Sequence, residues 1–327
     1  MKVLITGGAG YIGSVLTGYL IDQGNEVNIL DNLSTGHKSL VDSRANFFKG
    51  DILVERDLIA AMNDCQAVVH LAGKALVAES MLYPDLYFRE NFEGTKAVLH
   101  GMKILGIKKI VFSSTCAVYG NAGSGKITEN TQTKPVNPYG DSKLKADEEI
   151  GFSAANDSLD AYSFRFFNVA GSYISGTGQS FGEMHTTETH LIPNILRNKQ
   201  IEIFGTDWQT PDGTCIRDYV HVVDLAIAIE TAINSNTKLG HKIYNLGSGD
   251  GASVLEVISA ANKVLPKPVQ IMNKERRMGD PQELVGDSRL ALQDLNWKSR
   301  HNINEIVEDS YKFITKNKML LKEESDT

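Results

Sequence analysis

Thr6-Gly7-Gly8-Ala9-Gly10-Tyr11-Ile12-Gly13 follows the apolar run Lys2–Thr6 and opens a segment in which Ile12, Val15, Leu16, Tyr19 and Leu20 recur at helical spacing before Gly24. Gly7, Gly10 and Gly13 fall at three-residue intervals, where a backbone must approach a pyrophosphate and a helix must pack on its strand. A plain tight turn uses the same glycines. The strand–turn–helix context separates the two readings, because the helix N-terminus then offers free N–H groups and its positive dipole end to phosphates. Asp31 ends the next apolar strand, Glu26–Asp31, at the spacing of a ribose-binding carboxylate. That charge repels a 2′-phosphate, so the expected cofactor is NAD rather than NADP.

Outward from this turn the pattern repeats. Ala67–Leu71, Lys109–Ser113 and Ser163–Phe167 read as strands, and residues of about 55–64, 93–105 and 139–155 read as helices. Near-continuous apolar strands alternating with amphipathic helices imply a parallel sheet covered on both faces. The expected fold is α/β, a doubly wound parallel sheet of Rossmann type with a smaller, discontinuous C-terminal α/β domain. Residues 1–170 form the expected NAD-binding domain, and a segment of about 216–247 returns to it through the strand-like runs Asp218–Val222 and Lys242–Leu246. Residues 171–215 and 248–327 are left for the substrate. Residues 171–189, rich in Gly, Ser and Thr, read as a ligand-facing loop, and Lys322–Thr327 as a frayed end.

Composition narrows the function. Of 327 residues, 42% are apolar and 22% charged, and the net charge of −7 comes with no basic tract, so nucleic acid is not an expected partner. No run approaches the ~18 apolar residues of a membrane span. Glycine arrives in MKVLITGGAG before a signal-peptide core could form. Cys65, Cys116 and Cys215 are odd in number and scattered, which suits a reducing cytoplasm and gives no metal-ligand spacing; no metal is expected.

Asn137-Pro138-Tyr139-Gly140-Asp141-Ser142-Lys143 carries the chemistry. A helix starting at this turn projects Tyr139 and Lys143 from one face. Free tyrosine is only ~0.1% ionised at neutral pH, but a neighbouring ammonium and an oxidised nicotinamide both favour phenolate, a base for an alcohol proton. Taken alone, such a pair is an exposed helix face; after a dinucleotide turn it reads as catalytic. Thr115, after the strand Lys109–Ser113, can hold the same substrate oxygen, whereas Ser113 and Ser114 read as satisfying backbone groups. Asp51 and Ile52 follow the third strand, near adenine, with a helix cap as the other reading of Asp51.

TGGAGYIGS, DNLSTG, FSSTCAVYG, NPYGDSK, RFFNVAG, TPDGTCIRDYVHVVDLA, YNLGSG and RRMGD occur in this order up to Trp297. With these motifs the chain resembles the extended short-chain dehydrogenase/reductase family, and within it the UDP-glucose 4-epimerases. The resemblance implies 4-epimerisation of a UDP-sugar through a transient 4-keto intermediate, with Tyr139, Lys143 and Thr115 catalytic. It adds Tyr11, Ile12, Asn32, Leu71, Ala72, Gly73 and Asn91 to the cofactor contacts. Asn168, Leu191, Phe204, Arg217, Arg277 and Asp280 are implied at the substrate, the two arginines at its diphosphate. An Arg217–Asp218 surface ion pair and a core Phe204 are the plainer readings, and His221 reads as core. Dehydrating relatives carry an Asp-Glu pair after the catalytic Thr, and decarboxylases a Glu in that region; here Cys116 and Ala117 stand there. A UDP-N-acetylhexosamine or UDP-pentose 4-epimerase, a decarboxylase, a uronate epimerase and a non-catalytic NAD-binding protein are the other readings. Ala75 holds the place of the family's nicotinamide-ribose lysine with Lys74 one residue earlier, Phe166 stands where a Tyr is common, and Leu284 where the sugar pocket is gated. A homodimer in the cytoplasm is implied by resemblance only.

Overall fold

The structure is a computed structural model and describes residues 1–123, 125–185, 188–235, 240–277 and 279–317; the frayed end expected at Lys322–Thr327 lies outside them. The first half alternates β1 (Lys2–Thr6), α1 (Tyr11–Asp22), β2 (Glu26–Asp31), β3 (Asn46–Lys49), α2 (Glu55–Met62), β4 (Ala67–His70), α3 (Gly94–Leu105), β5 (Lys109–Thr115), α4 (Pro138–Asp157) and β6 (Asp160–Phe166). Further on come β7 (Asn168–Ala170), α5 (Leu191–Arg197), β8 (Tyr219–His221), α6 (Val222–Asn234) and β9 (His241–Leu246).

Seven strands form one parallel sheet in the order β9-β6-β5-β4-β1-β2-β3. Alternation along β1 explains both layers. Val3 and Ile5 pack with Leu16, Leu20, Leu225 and Ile229 of α1 and α6. Leu4, between them, faces Leu58, Val98 and Ile150 of α2, α3 and α4. Strand order reverses between β1 and β4, so the loops after these two strands open a crevice at the carboxyl edge.

A third core, containing Ile195, Ile203, Val257, Val307 and Phe313, holds the C-terminal layer together. Of the two strands expected to return to the sheet, β9 does so, pairing with β6. The other, β8, instead pairs with β7 in a separate two-stranded sheet, Tyr219 opposite Asn168. A three-residue strand cannot extend past the end of β6, and pairing with β7 places Arg217 just before it at the cleft.

Candidate active site

Gly7 adopts φ +72°, and a Cβ there would lie 2.7 Å from the Ala72 backbone nitrogen. At Gly13 a Cβ would lie 2.2 Å from the Gly7 carbonyl oxygen. Side chains are excluded at both, which holds the turn after β1 against α1. Gly10 is the N-cap of α1 and offers no side-chain cap, leaving the first helical N–H groups for a ligand. One cavity at this turn is lined by Gly7, Gly10, Asp31, Asn32, Ile52, Leu71, Ala72 and Gly73. A second shares Gly7, Gly10, Leu71 and Gly73 and adds Tyr11, Ile12, Gly13, Thr115, Tyr139 and Lys143.

Asp31 is buried, and its Oδ2 and Oδ1 accept from the backbone N–H of Ala9 at 2.9 Å and Leu33 at 2.8 Å. Burial pushes the carboxyl up and those N–H groups pull it back, so a carboxylate oriented by the glycine turn keeps lone pairs for two ribose hydroxyls. Asn32 donates to Asp51 at 3.0 Å, and Asp51 also accepts from the Leu53 N–H at 2.9 Å. The N-cap of α2 is Val54, so Asp51 orders the turn before that helix and is not its cap. Asn91 is wholly engaged by protein. Its Oδ1 accepts from the Lys74 N–H at 2.7 Å, and its amide donates to the Lys74 carbonyl and the Ser142 hydroxyl, both at 3.0 Å. Asp51 and Asn91 line neither cavity; their side chains hold the loops that do.

Helix α4 begins where the Asn137 side chain accepts from the Gly140 N–H at 2.8 Å, with Pro138 in its first turn. That start places Tyr139 and Lys143 one turn apart. Buried Lys143 donates from Nζ to the Ser113 carbonyl at 2.8 Å and lies 4.7 Å from the centre of the Phe112 ring. Burial lowers its ammonium to about 8, opposed by the Asp147 carboxylate one turn further on. Asp147 in turn accepts from the Ser114 hydroxyl at 2.8 Å and pairs with Arg165 at 3.4 Å. Ser113 and Ser114 therefore act as supports of Lys143 and Asp147.

Thr115 ends β5, and its Oγ1 accepts from the Ala117 N–H at 3.2 Å. Burial pushes the Tyr139 phenol up to about 12, and a hydrogen bond with Thr115 works against that rise. The Lys143 ammonium, one turn away, is turned to Ser113 and is itself weakened by burial. The protein by itself holds the phenol protonated at neutral pH. Burial raises the Cys116 thiol to about 12 as well, so neither it nor Ala117 can exchange a proton at neutral pH.

Across the cleft, Asn168, Leu191, Phe204, Arg217, Arg277 and Asp280 line a further cavity. Arg277 lies over the Phe204 ring, 3.7 Å from its centre. Arg217 donates to the Pro281 carbonyl at 2.9 Å and stands 3.7 Å from Asp280. The Arg217–Asp218 surface pair does not form, since Asp218 is fully buried and accepts from Ser248, Gly249 and Gly286. His221 is buried, accepts from the Val223 N–H at 3.1 Å and stacks on His301, as a core histidine does. Leu284 packs against Phe167, Val118, Tyr119 and Ile127. Asn168, Val169 and His190 line both this cavity and the one holding Tyr139, so the two form a continuous trough.

One group escaped the sequence reading. Glu183, His185 and Glu188, in the segment taken only as a loop, converge with His190 just beyond it. Burial opposes ionisation of Glu183, yet bonds with His185 and His190 bring it down to about 2; the same carboxylates raise His185 to about 9 against its own burial. The signal available was the spacing Glu-x-His-x-x-Glu-x-His, hidden among small polar residues.

The profile described as "NAD dependent epimerase/dehydratase family" matches residues 3–247. The UDP-glucose 4-epimerase of Corynebacterium glutamicum is 41% identical over 319 residues, covering 96% of this chain and 95% of that one. The crystal structure of UDP-glucose 4-epimerase from Brucella ovis in complex with NAD superposes with a TM-score of 0.90 at 37% identity, covering 95% of this chain and 97% of that one. The UDP-glucose 4-epimerase from Bifidobacterium longum in complex with NAD+ and UDP gives 0.89 at 34% identity, covering 97% and 99%. With a profile spanning most of its length and such relatives over nearly all of it, the chain belongs to the NAD dependent epimerase/dehydratase family.

Proposed function

We propose that this protein is a UDP-hexose 4-epimerase that interconverts UDP-glucose and UDP-galactose with a retained NAD. The observation that carries this reading is the trough: its Tyr139–Thr115 pair and its Arg217–Arg277 pair share the wall of Asn168, Val169 and His190. The turn fits NAD because Gly7 and Gly13 admit no Cβ and Asp31 is preset for a ribose. Residues of the two cavities at the turn, Lys143 among them, would hold it. Bound there, NAD supplies a reversible acceptor for the hydride of C4.

Tyr139 takes the proton of the 4-hydroxyl, and Thr115 holds the same oxygen. The phenol, at about 12 in the protein alone, would fall towards neutrality beside the positive charge of an oxidised nicotinamide. Arg217 and Arg277 grip the diphosphate while the keto sugar turns about its link to it, and Tyr139 then returns the proton with the opposite configuration set. Binding energy from the non-reacting nucleotide permits a loosely held hexose. Elimination and decarboxylation need an acid or base after Thr115, and Cys116 at about 12 supplies none. Incubation of the purified protein with UDP-galactose tests the reading: UDP-glucose should accumulate to equilibrium without stoichiometric NADH, and a 4-keto, dehydrated or decarboxylated product would overturn it.

The domain division follows the same roles, residues 1–170 with 216–247 for NAD and residues 171–215 with 248–327 for the UDP-sugar. A cytoplasmic homodimer completes the reading. Among the described residues all three cysteines are free thiols, and no helix is long and apolar enough to cross a membrane. Ile104 and Phe152 on adjacent helices α3 and α4 are 51% and 67% exposed, an apolar face that a second copy would cover.

A further inference from the structure

Four side chains converge between the strand Ser180–Gly182 and helix α5. Nδ1 of His185 lies 3.2 Å from Glu183 Oε1 and 3.8 Å from Glu188 Oε1. Nδ1 of His190 meets the same Glu183 oxygen and lies 3.9 Å from the same Glu188 oxygen. One donor atom from each residue falls within 4.8 Å of all the others. A tetrahedral zinc ion with bonds of about 2.0–2.1 Å needs donors about 3.3–3.4 Å apart, a spacing these contacts bracket, so that His190 would part from Glu183 and the Glu188 contacts would close on binding.

An ion-pair network alone explains the cluster less well. Among the described residues, His185 Nδ1 and Glu188 Oε2 are buried and have ion-pair contacts, at 3.2 Å to Glu183 and 3.4 Å to Arg197, but no well-aligned hydrogen bond, and the Glu188 side chain is only 9% exposed. Both imidazoles aim the same ring nitrogen at the same carboxylate pair. Two carboxylates balance a divalent cation with both histidines neutral, leaving no net charge in a partly buried place. The surroundings resemble the support of metal ligands. Arg197 stands 3.4 Å from the outer oxygen of Glu188 and donates to the Glu183 carbonyl at 2.9 Å, and the His190 N–H donates to Glu188 Oε1 at 2.9 Å. Two nitrogen donors disfavour calcium and magnesium.

We propose that Glu183, His185, Glu188 and His190 form a structural site for a tetrahedral first-row divalent cation, zinc above all, which clasps the strand end to the start of α5. The ion takes no part in hydride or proton transfer. It fixes His190, in the shared wall of the trough, and Leu191 beside it, and so shapes the nucleotide end of the cleft.

The full-length protein, stripped with a chelator and dialysed, is titrated with Co2+ and with Zn2+. Expected are the intense visible bands of tetrahedral Co2+ saturating at one equivalent, their loss on adding Zn2+, and a Tm that rises with Zn2+ and falls back with chelator. His190→Ala, at a half-exposed position that leaves the core intact, should weaken Co2+ binding by about 10–100-fold, and Glu183→Gln should do the same. No visible bands and a Tm indifferent to both metals would overturn the site, leaving an ion-pair cluster. Equal binding by the parent and His190→Ala would also overturn it. None of these readouts depends on turnover, so they stand apart from the epimerase reading.

Discussion

Tyr139 is the group on which the proposed chemistry turns. Replacing it with Phe removes the proton acceptor while keeping the ring that packs edge-on against Tyr87, so turnover of UDP-galactose should fall by about 10²–10⁴-fold with bound NAD unchanged. The check is steady-state kinetics beside the NAD released on denaturation; near-parent turnover would remove Tyr139 as the base. Lys143 sets the pH dependence. Burial holds its ammonium at about 8, below the free value, so its charge is present at neutral pH and lost as pH rises through that point. Activity that uses this charge should decline above about pH 8, approaching tenfold per pH unit. In Lys143→Arg, whose guanidinium stays charged, the decline should vanish although overall activity is lower. A kcat profile over pH 6.5–9.5 measures both. The placement of Tyr139, Lys143 and Thr115 in one cavity was legible because a helix start and a strand end fix them locally. The phenol's high pKa was not, since it reflects burial by residues far away in sequence.

The β1–turn–α1 unit converts a local pattern into a binding surface. Gly13→Ala drives a Cβ to within 2.2 Å of the Gly7 carbonyl, so the turn must part from the helix. Loss of about 1–3 kcal/mol of stability and most of the bound NAD is expected, read by thermal melting and by cofactor content after purification. An alanine variant that keeps its NAD would show that the turn is not the cradle. This unit, the alternating strands and the helix boundaries near residues 55, 94 and 138 could be read from sequence because periodicity and capping are local. The partner of β8 could not, because three residues carry no register of their own and pair wherever the chain crossing brings them. The Glu183–His190 cluster stayed hidden for a related reason: its spacing follows neither helix nor strand, and only the folded loop gathers it.

In the molecule as a whole, two layers meet along one trough, and the division of labour between them is measurable. Arg277 sits on Phe204 at the end remote from Tyr139. Arg277→Ala should raise KM for UDP-galactose by about 10–100-fold, on the scale of one or two charge-assisted hydrogen bonds, with a smaller change in kcat. Saturation kinetics separate the two, and an unchanged KM would take Arg277 out of the diphosphate grip. The doubly wound half of this architecture was written into the sequence almost strand by strand. The continuity of the trough was not, because Asn168, Val169 and His190 meet through β7 and the approach to α5 rather than through any motif.

Cys116 adds a consequence for chemical durability. A sulfur bordering the reacting sugar would ordinarily invite peroxide or alkylating drugs, since only the ionised sulfur attacks them. Burial pushes the thiol up to about 12, so the ionised form is scarce at neutrality. An alkylating reagent should therefore modify Cys116 far more slowly than a free thiol, which mass spectrometry of the treated protein would measure.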